Sequence, residues 1–217
     1  MNMVDWMRAA DGATYFRTAL GIFTVYLVIA KTNPVLIAFL IAATMLLDAV
    51  DGYFAVRETS RGSVSFVSYV RASMGNRLAL AKVRRFKEKS HKTAAYGPRI
   101  DVAGDRVVEY VFWIVFAYLH VIPLFVLILV LIRHSFVDAF MAAKGTSSKM
   151  KSRFARAIYS SNLGRGGINV VKFLTFAYLG FVYIWAWPAW IGYILVTVLL
   201  SYVMLRGAAE IYESVIA

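Results

Sequence analysis

The chain has 217 residues, 60% of them hydrophobic and 17% charged, with a mean hydropathy of +0.65 and a formal net charge of +12. A soluble domain of this length does not carry repeated apolar runs near the roughly 20 residues that cross a bilayer, so composition points to an all-α integral membrane protein. The absence of cysteine excludes disulfides and thiolate metal sites, and the three histidines argue against a histidine-based metal centre.

Residues 1–12 read as a short interfacial helix, with Trp6 and Met7 offered to lipid and Arg8 to headgroups. Asp5 and Arg8 with no small-residue cleavage site do not match a signal peptide. The first span is predicted from about Thr14 to Ala30 and carries Arg17 one turn in. Lys31-Thr-Asn-Pro34 is a tight turn, and Pro34 suits the first turn of a second span over about Val35–Ala55.

Residues 58–96 form a polar, basic insertion between the second and third spans. Its middle, roughly Ser65–Lys89, has helical periodicity with Phe66, Val70, Met74 and Leu78 on one face, as in a basic amphipathic helix on a membrane surface. The third span is predicted from Asp101 to about Val121 and the fourth, after Pro123, to about Ala143. A second basic loop covers 144–166. The fifth span follows over about Ile168–Ala186, an aromatic turn at Trp185-Ala-Trp-Pro188 comes next, and the sixth runs from about Ala189 to Arg206.

These six spans make one polytopic domain over 1–217. Lys and Arg concentrate in 57–99 and 144–166, whereas the opposite turns offer only Lys31, so both termini and both basic loops are expected in the cytoplasm of a cell-membrane protein. That distribution accounts for the basic charge through anionic headgroups, and nucleic acid is not an expected partner.

The chemistry concentrates in DAVDGYFAVR at 48–57 and GPRIDVAGD at 97–105. Asp48 and Asp51 are three apart at the end of one span; Asp101 and Asp105 are four apart at the start of the next, and such spacings share a helix face. Asp101 and Asp105 are expected at a favourable helix N-terminus, whereas Asp48 and Asp51 crowd an already negative C-terminus. Four like charges this close require a cation, and oxygen-only donors suit Mg²⁺, Mn²⁺ or Ca²⁺ rather than zinc. Solvated helix ends and a coupling-ion site in a transporter are the competing readings. Against the second, no span is interrupted at its middle. Metals at the water–lipid boundary instead suit an enzyme that joins a polar reactant to a lipid one.

The two stretches resemble the CDP-alcohol phosphotransferase family, whose pattern is D-x2-D-G-x2-A-R-x8-G-x3-D-x3-D. Asp48, Asp51, Gly52, Ala55, Gly97, Asp101 and Asp105 fall on it. The resemblance implies a six-span homodimer that transfers a phosphatidyl-type group from a CDP-linked lipid to a small polar alcohol, releasing CMP. It implies that Asp48, Asp51 and Asp101 ligate a pair of Mg²⁺ or Mn²⁺ ions, with Asp105 as general base and a further metal contact. By the same resemblance Gly52 and Ala55 leave room for the nucleotide, Gly97 permits close approach, and Thr14 and Arg17, a T-x-x-R pair, lie near the CDP moiety.

Two departures stand out. Val56 sits where the family has arginine, and Arg57 follows one residue late, a rotation of about 100° on a helix. Arg57, Arg17 or Arg99 is then expected to meet the phosphates. The usual short gap is replaced by 58–96. For the acceptor, arginine suits a phosphate, and Arg106, Arg133, Arg153, Arg165 and Arg206 are candidates with Lys151 and Lys172. Arg165 and Arg206 match the layout of the inositol-phosphate branch, so inositol phosphate or glycerol phosphate is the first expectation, with serine or another small alcohol next. His134 and Asp138 form an i,i+4 polar pair. An inactive membrane scaffold that keeps the fold remains the non-catalytic alternative.

Overall fold

The structure is a computed structural model and describes residues 9–73, 76–93, 97–144 and 162–216. All regular structure among them is helical: α1 (Ala9–Ile29), α2 (Pro34–Thr59), α3 (Phe66–Ser73), α4 (Arg77–Thr93), α5 (Gly97–Tyr118), α6 (Leu124–Lys144), α7 (Asn162–Trp185) and α8 (Ala189–Ile216). Among the described residues, four segments are long and apolar enough to cross a membrane: Asp11–Ile29, Pro34–Thr59, Gly167–Trp185 and Ala189–Tyr212. The chain is therefore an all-α protein with the helices of a membrane protein.

The elements begin and end differently from the sequence expectation at several points. α1 runs without a break from Ala9, so Asp11 belongs to the first long helix rather than to a separate interfacial one; residues 1–8 lie outside the described residues. α2 continues to Thr59 and α5 already starts at Gly97, with Pro98 in its first turn where a missing N–H costs nothing. Asp48 is thus interior to α2, and Asp101 stands beyond the first turn of α5. The macrodipole acts over the terminal turn, so it neither penalises the first pair nor stabilises the second as expected.

Most of the second basic loop lies outside the described residues. From Asn162 onward it is already the first turn of α7, because helix propagation from the apolar run carries back over glycines that cost about 1 kcal/mol each. α8 passes Arg206 and ends at Ile216.

The helix ends follow local chemistry. Asn33 caps α2, its side-chain oxygen accepting from the N–H of Val35 at 2.9 Å, with Pro34 the first helical residue. α2 closes in a Schellman turn: the N–H of Gly62 bonds the carbonyl of Arg57, the N–H of Arg61 bonds that of Glu58, and Arg61 takes a left-handed φ of 49°. His120 does the same after α5 with φ 56°.

The described residues fall into two compact units, 1–27 with 39–111 and 28–38 with 112–217. In the first, α1, α2 and α5 approach closely where Gly21 faces Val108 and Thr44; a Cβ on Gly21 would lie 3.3 Å from Val108. Outward faces remain apolar, including Phe16, Phe23, Tyr26, Phe39 and Leu46, as lipid contact requires.

The insertion is a hairpin of two helices, not one continuous helix, and Asn76 caps the second by accepting from the N–H of Ala79. The face expected on a membrane surface is outward: Leu78 is 86% exposed and Phe66 51%, while Met74 lies outside the described residues. The hairpin buries Val64, Ala72 and Val83 instead, and these pack on Val56 of α2 with Tyr69, Ala79 and Phe86 around them.

In the second unit Phe176 of α7 sits among Phe112, Trp113 and Phe116 of α5, stacked on Phe112 at 5.1 Å and edge-on to Trp113 at 5.0 Å. Around the α7–α8 turn Trp185, Trp187 and Trp190 remain exposed, in keeping with an interfacial aromatic turn.

Candidate metal centre

Two helices of the first unit bring the acidic residues together. Asp48 comes from α2, and Asp101 and Asp105 from one face of α5; one carboxylate oxygen of each lies within 4.8 Å of the others. Asp51 follows one turn after Asp48 on α2, and its side chain lies outside the described residues.

The close approach of α1 to α5 depends on Gly104. A Cβ there would stand 2.4 Å from Thr14 Cγ2 and 3.5 Å from Arg17 Nη2, so no other residue fits without shifting α1. Thr14 is accordingly 3% exposed.

Arg17 is the centre's cation. Its Nη1 donates to Asp48 Oδ1 at 2.7 Å and to Asp105 Oδ1 at 2.6 Å, and its Nη2 lies 3.7 Å from Asp101 Oδ1. The guanidinium is buried, with a side chain 4% exposed, whereas those of Asp48, Asp101 and Asp105 are 33%, 51% and 45% exposed. A buried positive charge beneath a partly open rim of carboxylates offsets their repulsion by charge-assisted hydrogen bonds. Arg17, expected near the CDP moiety, is held by the aspartates.

Two other acids on α5 and α1 are buried. Glu109 lies four residues beyond Asp105 on α5 and is 4% exposed, and Asp11 on α1 is likewise 4% exposed. Continuing the Asp101–Asp105 spacing by one more turn was the signal that could have found Glu109. Asp11 was hidden by the expected break in α1.

Gly52 does not open onto empty space. A Cβ there would lie 2.6 Å from the Tyr69 hydroxyl, so Tyr69 of the insertion stands directly against this glycine. Tyr53 beside it packs edge-on to Phe66 and Tyr69 at 5.2 and 5.7 Å. Val56 is fully buried under the hairpin, whereas Arg57 is exposed, lies 6.0 Å from the Tyr53 ring and lines a shallow depression with Phe54, Glu58, Arg61 and Gly62. The displaced arginine and the insertion are therefore one feature, since the hairpin core requires an apolar side chain at 56. Ala55 is half-buried on α2, Gly97 is the first residue of α5, and Arg99 is exposed.

The proposed acceptor residues separate. Arg106 is half-buried beside Asp105 in the first unit. Arg165 is in the first turn of α7, its side chain outside the described residues, and Arg153 and Lys151 lie outside them altogether. Arg206 belongs to the second unit, its Nε 3.4 Å from Glu210 Oε1. The other oxygen of Glu210 accepts from Arg133 Nη2 at 3.0 Å; Arg133 and Glu210 are both buried, a cross-link between α6 and α8. Gly207 makes room for it, since a Cβ there would fall 2.8 Å from Arg133 Nε. His134 is buried and Asp138 half-buried in α6.

As a donor set, three carboxylates with no nitrogen or sulfur ligand fit a hard divalent cation, and the guanidinium on two of them shows that the oxygens converge well enough to share one positive centre. Comparison with protein-family models, with curated proteins and with solved structures gave no match.

Proposed function

We propose that this chain is a membrane-embedded, metal-dependent phosphotransferase of the CDP-alcohol type, moving a phosphatidyl-type group from a CDP-linked lipid to a hydroxyl acceptor with release of CMP. The observation that carries the reading is the convergence of Asp48, Asp101 and Asp105, which the motif spacing alone singled out from a chain with few acids.

Asp48, Asp51, Asp101 and Asp105 would hold Mg²⁺ or Mn²⁺. When bound, such ions neutralise a pyrophosphate and favour charge on the entering and leaving oxygens. Asp105 takes the proton of the acceptor hydroxyl on the oxygen that does not face Arg17. The acceptor oxygen then forms a bond to the lipid-side phosphorus as the bond from that phosphorus to the CMP oxygen breaks, and CMP departs with the electron pair. The partly exposed carboxylate rim supports access for a polar acceptor, and the apolar outward faces of α1 and α2 support access for a lipid donor.

A phosphorylated polyol, inositol phosphate or glycerol phosphate, is the preferred acceptor. Arg106, Arg153 and Arg165 support it; Arg206 supports it less directly, because Glu210 already engages it. Serine or another small alcohol is the alternative. The reading includes α5 and α6 as spans, making six, with the basic loops and both termini in the cytoplasm, and a homodimer as the working assembly. The Lys and Arg distribution supports the orientation.

The test is CMP release from CDP-diacylglycerol or CDP-archaeol by purified protein offered glycerol phosphate, inositol phosphate, inositol and serine in turn. One acceptor should give CMP, and EDTA or Asp105→Asn should abolish it. Silence across the panel overturns the reading. Metal flux into proteoliposomes that depends on Asp48 and Asp101 would replace it with a cation carrier.

A further inference from the structure

The sharpest feature of the centre is that its cation is already there. Three carboxylates against one guanidinium sum to a formal −2 among these four groups, so the ensemble still attracts a divalent cation beside its own guanidinium. Arg17 takes the Oδ1 atoms of Asp48 and Asp105, which belong to the same carboxylates a metal needs. A divalent ion among those oxygens would stand close to the buried guanidinium, and two positive centres that near repel although the carboxylate rim is partly open to water.

We propose that Arg17 is a built-in counter-cation that latches the aspartates together before metal arrives and competes with the metal for them, so that it sets the metal concentration at which the centre fills. The inference rests on the metal-centre reading above and adds the opposing roles of one side chain: it stabilises the metal-free fold and weakens metal binding. Two bridging charge-assisted hydrogen bonds must be given up or shared on loading, so their removal should be felt strongly. The Arg17 side chain is 4% exposed and bonded to two carboxylates, so competition, rather than free exit to water, is the expected behaviour.

Mn²⁺ binding to the full-length protein in detergent, followed by calorimetry and by the loss of the free-ion electron-spin-resonance signal, tests this together with the unfolding midpoint with and without Mn²⁺. Arg17→Gln should bind Mn²⁺ at least about tenfold more tightly than wild type. Its midpoint should fall without metal and recover with it, so that Mn²⁺ raises the midpoint more than in wild type. Arg17→Lys, which keeps the charge but not the planar bridge, should lie between the two, and it serves as the readout if Arg17→Gln does not fold.

Unchanged or weaker Mn²⁺ binding in Arg17→Gln would overturn the latch while leaving the metal centre standing. An equal drop in midpoint with and without Mn²⁺ would also overturn it, reducing Arg17 to a structural ion pair. If neither wild type nor variant binds Mn²⁺, the metal reading itself fails and takes the latch with it. Binding by the variant alone would be the latch at its strongest.

Discussion

At the scale of single residues, exposure separates groups that hold the fold from groups available for chemistry. Glu210 is buried and accepts from Arg133, which is buried too, so removing the carboxylate takes an ion-pair partner out of the helix interface. Glu210→Ala should destabilise the protein by about 3–5 kcal/mol, read as a lower thermal midpoint in detergent. Arg206→Ala, at the more open side of the same carboxylate, should cost no more than about 1 kcal/mol. If Arg206 also meets an acceptor phosphate, that variant should raise the acceptor KM well beyond its small effect on stability. Asp105 behaves differently again. Its side chain is 45% exposed and asparagine keeps an oxygen for Arg17, so Asp105→Asn should silence CMP release while lowering the metal-free midpoint less than Arg17→Gln does.

At the scale of elements, the hairpin of α3 and α4 is docked on α2 beside the aspartates rather than set apart from them. Its contacts explain the two departures from the motif: Val56 is part of the hairpin core, and Gly52 accommodates the Tyr69 hydroxyl. Val56→Arg would restore the register of the resemblance and at the same time force a guanidinium among Val64, Ala72 and Val83. The expected outcome is undocking, at a cost of about 3 kcal/mol or more, seen as rapid proteolysis within 58–96. Gly52→Ala should loosen the same interface through its clash with Tyr69, and Tyr69→Phe in the Gly52→Ala background should restore protection. A cycle showing no coupling between the two substitutions would remove the contact from the account.

At the scale of the whole molecule, the four apolar helices set a membrane location by composition, while α5 reaches its apolar half only after Arg99, Asp101, Asp105, Arg106 and Glu109. Charged residues in a span are tolerated when they face a protein interior, which the burial of Glu109 and the pairing of the aspartates with Arg17 supply. Because the chain has no cysteine, single introduced cysteines report topology without background. Ser63→Cys should label from one side of sealed vesicles and Thr32→Cys, His120→Cys and Ala186→Cys from the other. Labelling of Ser63→Cys and His120→Cys from the same side would mean that α5 does not cross.

Composition and periodicity are enough for the all-α membrane class, for the turns at Asn33-Pro34 and Pro123, and for singling out Asp48, Asp101 and Asp105, because these depend on local spacing and on apolar run length. Helix ends were less legible. Asp48 looked terminal and Asp101 looked like a helix start because polar residues near an apolar run imitate a boundary, yet long helices continue through them once partners satisfy their charge. What no one-dimensional reading supplies is the third helix. Arg17 is 31 residues from Asp48 and 88 from Asp105, and only the close passage of α1 over Gly104 puts its guanidinium among them. Spacing along one helix fixes which side chains share a face, whereas the partner that neutralises that face is chosen by packing between helices far apart in the chain.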